Sequence, residues 1–177
     1  MADGDSITSL PLFPFEGELR LKSLGPLLDA ELPRDGEGGR PCLRCDDLLA
    51  GVVWSNDRWL VTAAQRTVGP VTVFLETRAH VDLDGLDDDM AAELGVLTVR
   101  LEAAIRAVPG VGRVHVHRWS DGSSHLHLWF MARPARRIEM YGWGNEIWSQ
   151  ILPPLDEEVV RHNLDIVRAE LERRCGP

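Results

Sequence analysis

An α+β fold, an antiparallel sheet with one long helix and further helices at the C-terminus, is what the order of patterned segments predicts. Three observations carry it. Runs rich in β-branched and aromatic residues cluster before residue 77, a single long amphipathic stretch follows, and two more β-rich runs flank the turn Ser120-Asp121-Gly122-Ser123. Strands, then one helix, then strands do not make the regular alternation of a parallel α/β sheet.

Each element has its own signal. Gly51–Trp54 and Arg58–Ala64 surround Ser55-Asn56-Asp57 and read as a hairpin, and Val71–Glu76 is a third strand entered through Gly69-Pro70. Residues 86–108 repeat apolar side chains at helical spacing through Met90, Leu94, Leu97, Leu101 and Ile105. Asp87 suits the N-cap, Asp88 and Asp89 suit the positive end of the helix dipole, and Pro109-Gly110 stops it. Strands over Arg113–Trp119 and His125–Met131 follow, then helices over Asn145–Ile151 and Asp156–Arg174, broken at Pro153-Pro154. Residues 1–41, rich in Pro, Gly and acids, read as an arm with one short strand at Glu18–Lys22. The organisation expected is an arm (1–41), a core (42–134) and a C-terminal helical extension (135–177) packed on that core as a single domain.

With 177 residues, 44% of them apolar, the chain is long enough to bury a core without staples. A net charge of −9 with scattered basic residues argues against a nucleic-acid polymer as partner, while a small anionic ligand remains compatible. No apolar run is long enough to span a membrane, and the N-terminus lacks the cationic and apolar regions of a secretory signal. A reducing cytoplasmic location is expected. Of three cysteines, Cys42 and Cys45 form a Cys-x-x-Cys pair, which in such a compartment reads as metal or redox chemistry; Cys175 reads as an exposed, idle thiol.

The last strand is the most informative segment. Its alternation puts His125, His127 and Trp129 on one face and Leu126, Leu128 and Phe130 on the other. The apolar row belongs to the core, so both histidines face a cleft, a metal or solvent. Four of the six histidines fall in this one hairpin, and pairing across the turn would bring His117 beside His125 and His127.

From Cys42 to Arg133 the chain resembles the histidine-triad superfamily, which includes nucleoside-phosphoramidate and dinucleotide hydrolases and galactose-1-phosphate uridylyltransferase. The resemblance rests on order and spacing: Cys42-Leu-Arg-Cys45, Asn56-Asp-Arg-Trp-Leu60, the strand ending Thr77-Arg-Ala-His80, the long helix, and Asp121-Gly-Ser-Ser-His-Leu-His-Leu-Trp129. It implies a structural zinc held by Cys42, Cys45, His80 and His125, as in the zinc-bearing branch with the uridylyltransferases. Two thiolates and two imidazoles suit such a closed tetrahedral site. It further implies a nucleotidyl hydrolase or transferase with His127 as the nucleophile toward an α-phosphorus, acting on a small phosphorylated, nucleotide-type ligand, and a homodimer. Ser123, Ser124, His117 and Trp129 are the residues expected around the phosphate. The sequence departs from the family at Trp129, where a third histidine is usual, at Ala64, where an acid grips the ribose, and at His117, where Asn is common. A zinc-stapled binding protein without turnover is the alternative. Trp143 and Trp148 are read either as a lid over the cleft or as packing of a helix on the sheet.

Overall fold

The computed structural model describes residues 7–176, so the first six residues of the expected arm lie outside the described part. Five strands form one antiparallel sheet in the order β1-β2-β3-β5-β4, with β1 at Val52–Ser55, β2 at Trp59–Ala63, β3 at Thr72–Thr77, β4 at Val111–His117 and β5 at His127–Pro134. The turn between β1 and β2 is built by Asn56, whose Oδ1 accepts from the N–H groups of Arg58 and Trp59. Val61, Val73, Leu75, Phe130 and Ala132 line one face of the sheet and are buried. That face carries the core.

The long helix, α2, spans Asp88–Ile105, after the single turn α1 at Leu43–Asp46. Asp87 caps it as expected, its carboxylate accepting from the Met90 N–H at 2.7 Å. Leu97, Leu101, Ala104 and Ile105 recur on one stripe and are buried against the sheet and the last helix, each large apolar side chain contributing about 1.5–3 kcal/mol of burial. After α3 (Gly144–Ile151), helix α4 (Glu157–Cys175) lays Val167 and Leu171 into the same core and contacts both α2 and β1.

Three expectations are corrected. Glu18–Lys22 forms no strand, because no neighbouring strand is present to take its backbone hydrogen bonds. Pairing in the last strand begins at His127 rather than His125, since the chain before it turns toward Val81, whose carbonyl accepts from the Leu126 N–H at 2.9 Å. Cys175 is half-buried against the core rather than exposed.

Candidate active site and metal centre

Three separate segments meet at one corner of the sheet and bring four ligand side chains. α1 brings Cys42 and Cys45, the end of β3 brings His80, and the turn before β5 brings His125; their ligand atoms all lie within 4.8 Å of one another. Cys45 Sγ stands 3.5 Å from His80 Nδ1 and 3.4 Å from His125 Nδ1, and Cys42 Sγ is 3.7 Å from His125 Nδ1. A tetrahedral zinc with bonds of about 2.3 Å to sulfur and about 2.05 Å to nitrogen sets sulfur and nitrogen roughly 3.6 Å apart. The cluster therefore has zinc's spacing already.

The second nitrogen of each imidazole is also committed. His125, 1% exposed, directs Nε2 at the Thr77 carbonyl, 2.7 Å away, and His80 Nε2 lies 3.3 Å from Ser124 Oγ. Such contacts turn Nδ1 of each ring inward as a lone pair, which is the orienting shell a metal site requires. Burial lowers the His125 pKa and so favours the neutral ligand form. Burial, then the adjacent Cys42, pushes the Cys45 thiol up to about 11, so a cation is what would hold two thiolates side by side. The donor set and its spacing fit structural zinc. Gly36 closes the loop over this corner; its φ of +80° and the approach of His80 Cε1 to 2.3 Å from a notional Cβ leave no room for a side chain.

From the metal corner a groove runs along the other face of the sheet. Two connected hollows, of about 380 and 610 Å³, share Arg44, Gln65, Phe74, Glu76 and Trp129 in their walls. Ser123, His125 and His127 line the smaller hollow at the metal end, while Thr62, Ala64, Arg66, Ser149 and Gln150 line the larger one. His127 is fixed by its own backbone: Nδ1 lies 2.8 Å from the His125 carbonyl. With Nδ1–H donating there, Nε2 keeps its lone pair.

The remaining expected phosphate residues divide. Ser123 stays in the groove, although its Oγ accepts from the His125 N–H at 3.1 Å. Ser124 is buried, and its hydroxyl donates to the Asp35 carbonyl at 3.0 Å, which withdraws it from a ligand. Trp129 presents ring surface, packed edge-on against Phe74 at 4.4 Å between centroids, but its Nε1 is buried without a partner. The indole N–H is therefore turned away from the groove. His117 pairs with Trp129 across the strands instead of lying beside His125 and His127, and its Nε2 stands 3.8 Å from Glu146 of α3. Trp143 and Trp148 do not cover the groove: Trp143 packs on Phe13, and Trp148 donates to the Leu12 carbonyl.

The sequence reading missed Glu76 and Arg44. Glu76 is 5% exposed, faces His127 in the register of β3 and β5, and accepts from Arg44 Nε at 2.9 Å and Thr62 Oγ1 at 2.7 Å. Arg44 sits between the two cysteines and completes its hydrogen bonds on the carbonyls of Asp47 and Leu48. The signal was available: Thr72, Phe74 and Glu76 alternate with the buried Val73 and Leu75, which puts a carboxylate on the histidine face.

No family model and no curated protein sequence matches the chain. Solved structures do. A hypothetical histidine triad nucleotide-binding protein from Sulfolobus tokodaii superposes with a TM-score of 0.56 at 17% identity, covering 76% of this chain and 97% of that one. A histidine triad protein from Bradyrhizobium japonicum gives 0.55 at 16% identity over 67% of this chain and 88% of that one. The fold is the histidine-triad fold. A zinc-bound histidine triad family protein from Mycobacterium smegmatis shares it, with a TM-score of 0.53 and 15% identity over 72% of this chain and 88% of that one. The segment that carries His125 in the turn before β5 and His127 at its start joins the metal corner to the groove. Among the described residues, no helix is long and apolar enough to cross a membrane.

Proposed function

We propose that the protein is a nucleotidyl hydrolase or transferase of the histidine-triad type, with zinc at the Cys42–Cys45–His80–His125 corner as a structural ion and His127 as the nucleophile. One observation carries the reading: His127 is held by Nδ1 on the His125 carbonyl, in a groove, beside the metal corner. Preorganisation of this kind is what a covalent nucleophile needs. Nε2 attacks phosphorus, the bond to the leaving group breaks, and its electron pair departs with that group. The departing group takes a proton from solvent, because Trp129 has none to transfer. Water or an acceptor hydroxyl then attacks phosphorus, loses its proton and returns the pair to Nε2. The Ser123 turn supports the phosphate oxygens, and the larger hollow takes the rest of a small phosphorylated, nucleotide-type ligand. The uridylyltransferase branch, a homodimer formed through α2 and a sheet edge, and a cytoplasmic location that keeps the paired thiols reduced complete the proposal.

Incubation with nucleoside phosphoramidates, dinucleotides or nucleotide sugars should leave a phosphorus adduct on His127, located by peptide mass spectrometry and absent in His127→Ala. A second reading, a zinc-stapled binding protein without turnover, is favoured by the buried Trp129 N–H and by Ala64 in the groove wall. Binding of those ligands with no adduct and no product would select it.

A further inference from the structure

At the end of β4 and β5 away from the metal corner, a hollow of about 410 Å³ is lined by Arg113, His115, Arg133, Arg136 and Tyr141 among others. None of its lining residues belongs to the groove. In a chain of net charge −9, this one hollow gathers three guanidinium groups. Arg113, Arg133 and Arg136 have no carboxylate partner among the described residues. Arg44 in the groove differs: Glu76 stands 2.9 Å from its Nε.

Arg133 makes this more than a basic patch of surface. It is only 6% exposed, and a buried cation without a counter-charge is costly. Its Nη1 donates to the carbonyls of Pro134 at 2.8 Å and Arg137 at 3.4 Å, and its guanidinium lies 4.3 Å from the centroid of the Tyr141 ring. Nε and Nη2 donate to no acceptor among the described residues. Arg133 also stands directly opposite Arg113 in the register of β4 and β5, on the face of the sheet away from Phe130 and Ala132. Like charges in that position repel across the strand pair. Arg136 brings the third cation from a strained turn, since its φ of +63° is a conformation that glycine takes freely and other residues take at a cost. Burial, cross-strand repulsion and backbone strain converge on one hollow. An anion bound there offsets the first two and gives the third a use.

We infer that this hollow binds a phosphate group, free or carried on a small ester, at a site separate from the groove. Phosphate suits it because a compact, multiply charged anion offers acceptor oxygens to several forked guanidiniums at once. The hollow is roomier than a bare phosphate ion, which leaves space beside Tyr141 for the body of an ester. Arg113 and Arg133 act from the face of the sheet and Arg136 from the turn after β5. Pairing of two copies at a sheet edge uses backbone groups in the plane of the sheet, and these side chains stand out of that plane. The inference goes beyond the nucleotidyl-transfer reading and does not depend on it.

Backbone amide NMR on the full, zinc-loaded chain tests it, with inorganic phosphate and phenyl phosphate each titrated against chloride at constant ionic strength. The amides of Gly112, Arg136 and Gly142 should shift saturably. Tighter binding of phenyl phosphate would support an ester as the occupant, and equal binding would support the free ion. The double variant Arg113→Gln, Arg136→Gly removes two of the three cations and should weaken binding about tenfold or more. It should keep its zinc and its melting temperature, because glycine takes a φ of +63° without strain. Shifts confined to Ser123 and His127 would overturn the inference and leave the nucleotidyl-transfer reading standing. Shifts at the hollow that persist unchanged in the double variant, or that never saturate in the wild type, would overturn it as well.

Discussion

Two corners of the same sheet each gather two aromatic nitrogen heterocycles, and they differ in what stands around them. At the metal corner, His80 and His125 each have one nitrogen on a fixed acceptor and the other directed at a pair of thiols. On the flank where β4 meets α3, His117 Nε2, Glu146 Oε2 and Trp129 Nε1 are all buried and none has a hydrogen-bond partner. Burial alone thus does opposite things to histidine. With converging partners it orders a ligand set; without them it only disfavours the charged forms, raising the Glu146 pKa and lowering that of His117, each through burial first. Clustered histidines in a sequence say that something polar is assembled; the second nitrogen of each ring says what.

The comparison breaks first at the metal. Cys45→Ser should remove zinc and lower the melting temperature by roughly 10 °C or more, because metal binding is coupled to folding. Retention of one zinc per chain by mass spectrometry under native conditions, with an unchanged melting curve, would show that Cys45 is not one of its ligands. The next effect in size tests whether the corner is joined to the groove. Arg44→Met leaves Glu76 as a buried carboxylate without its cation and should cost about 3 kcal/mol in a urea titration. The double variant Arg44→Met, Glu76→Leu should recover most of that loss.

The flank responds to pH instead. Burial lowers the pKa of His115 and His117 below the ordinary value of about 6.5, so the unfolded chain binds protons before the folded one does. Stability is then full above pH 6.5 and declines as pH falls from there through the lowered values. Melting temperatures in excess zinc from pH 7.5 to pH 5 should fall, and His117→Phe should make that decline shallower. An identical pH slope in the variant would place the titration elsewhere. The smallest effect on stability belongs to His127→Ala, which should keep zinc and melt within a few degrees of the wild type while losing the phosphorus adduct. Loss of zinc in that variant would mean that the ligand register is shifted by two residues.

Much of this was legible from local pattern. Helical periodicity placed α2 and its Asp87 cap, and alternation separated the histidine row from the leucine row of the last strand; the four ligands came from the family resemblance that the order of motifs carries. Periodicity and alternation repeat at fixed spacing, so backbone geometry alone translates them into faces and distances. Partnership between distant segments was not legible. Glu18–Lys22 has the alternation of a strand yet pairs with nothing in its own chain, because a strand is defined by its neighbour as much as by itself. Ser124 and Trp129 carry the right chemistry for a phosphate site, but their polar atoms are turned to the Asp35 carbonyl and into the β4 flank. Glu76 was overlooked because a lone acid in an apolar run announces itself only when Arg44 and Thr62 arrive from elsewhere to hold it. The sequence by itself determined which residues alternate and cap, since those depend on spacing along one chain, while the metal ligands were expected from the order of motifs that resembles a known family. Only the tertiary structure decided where each donor and acceptor finds its partner, because that depends on which segments pack together.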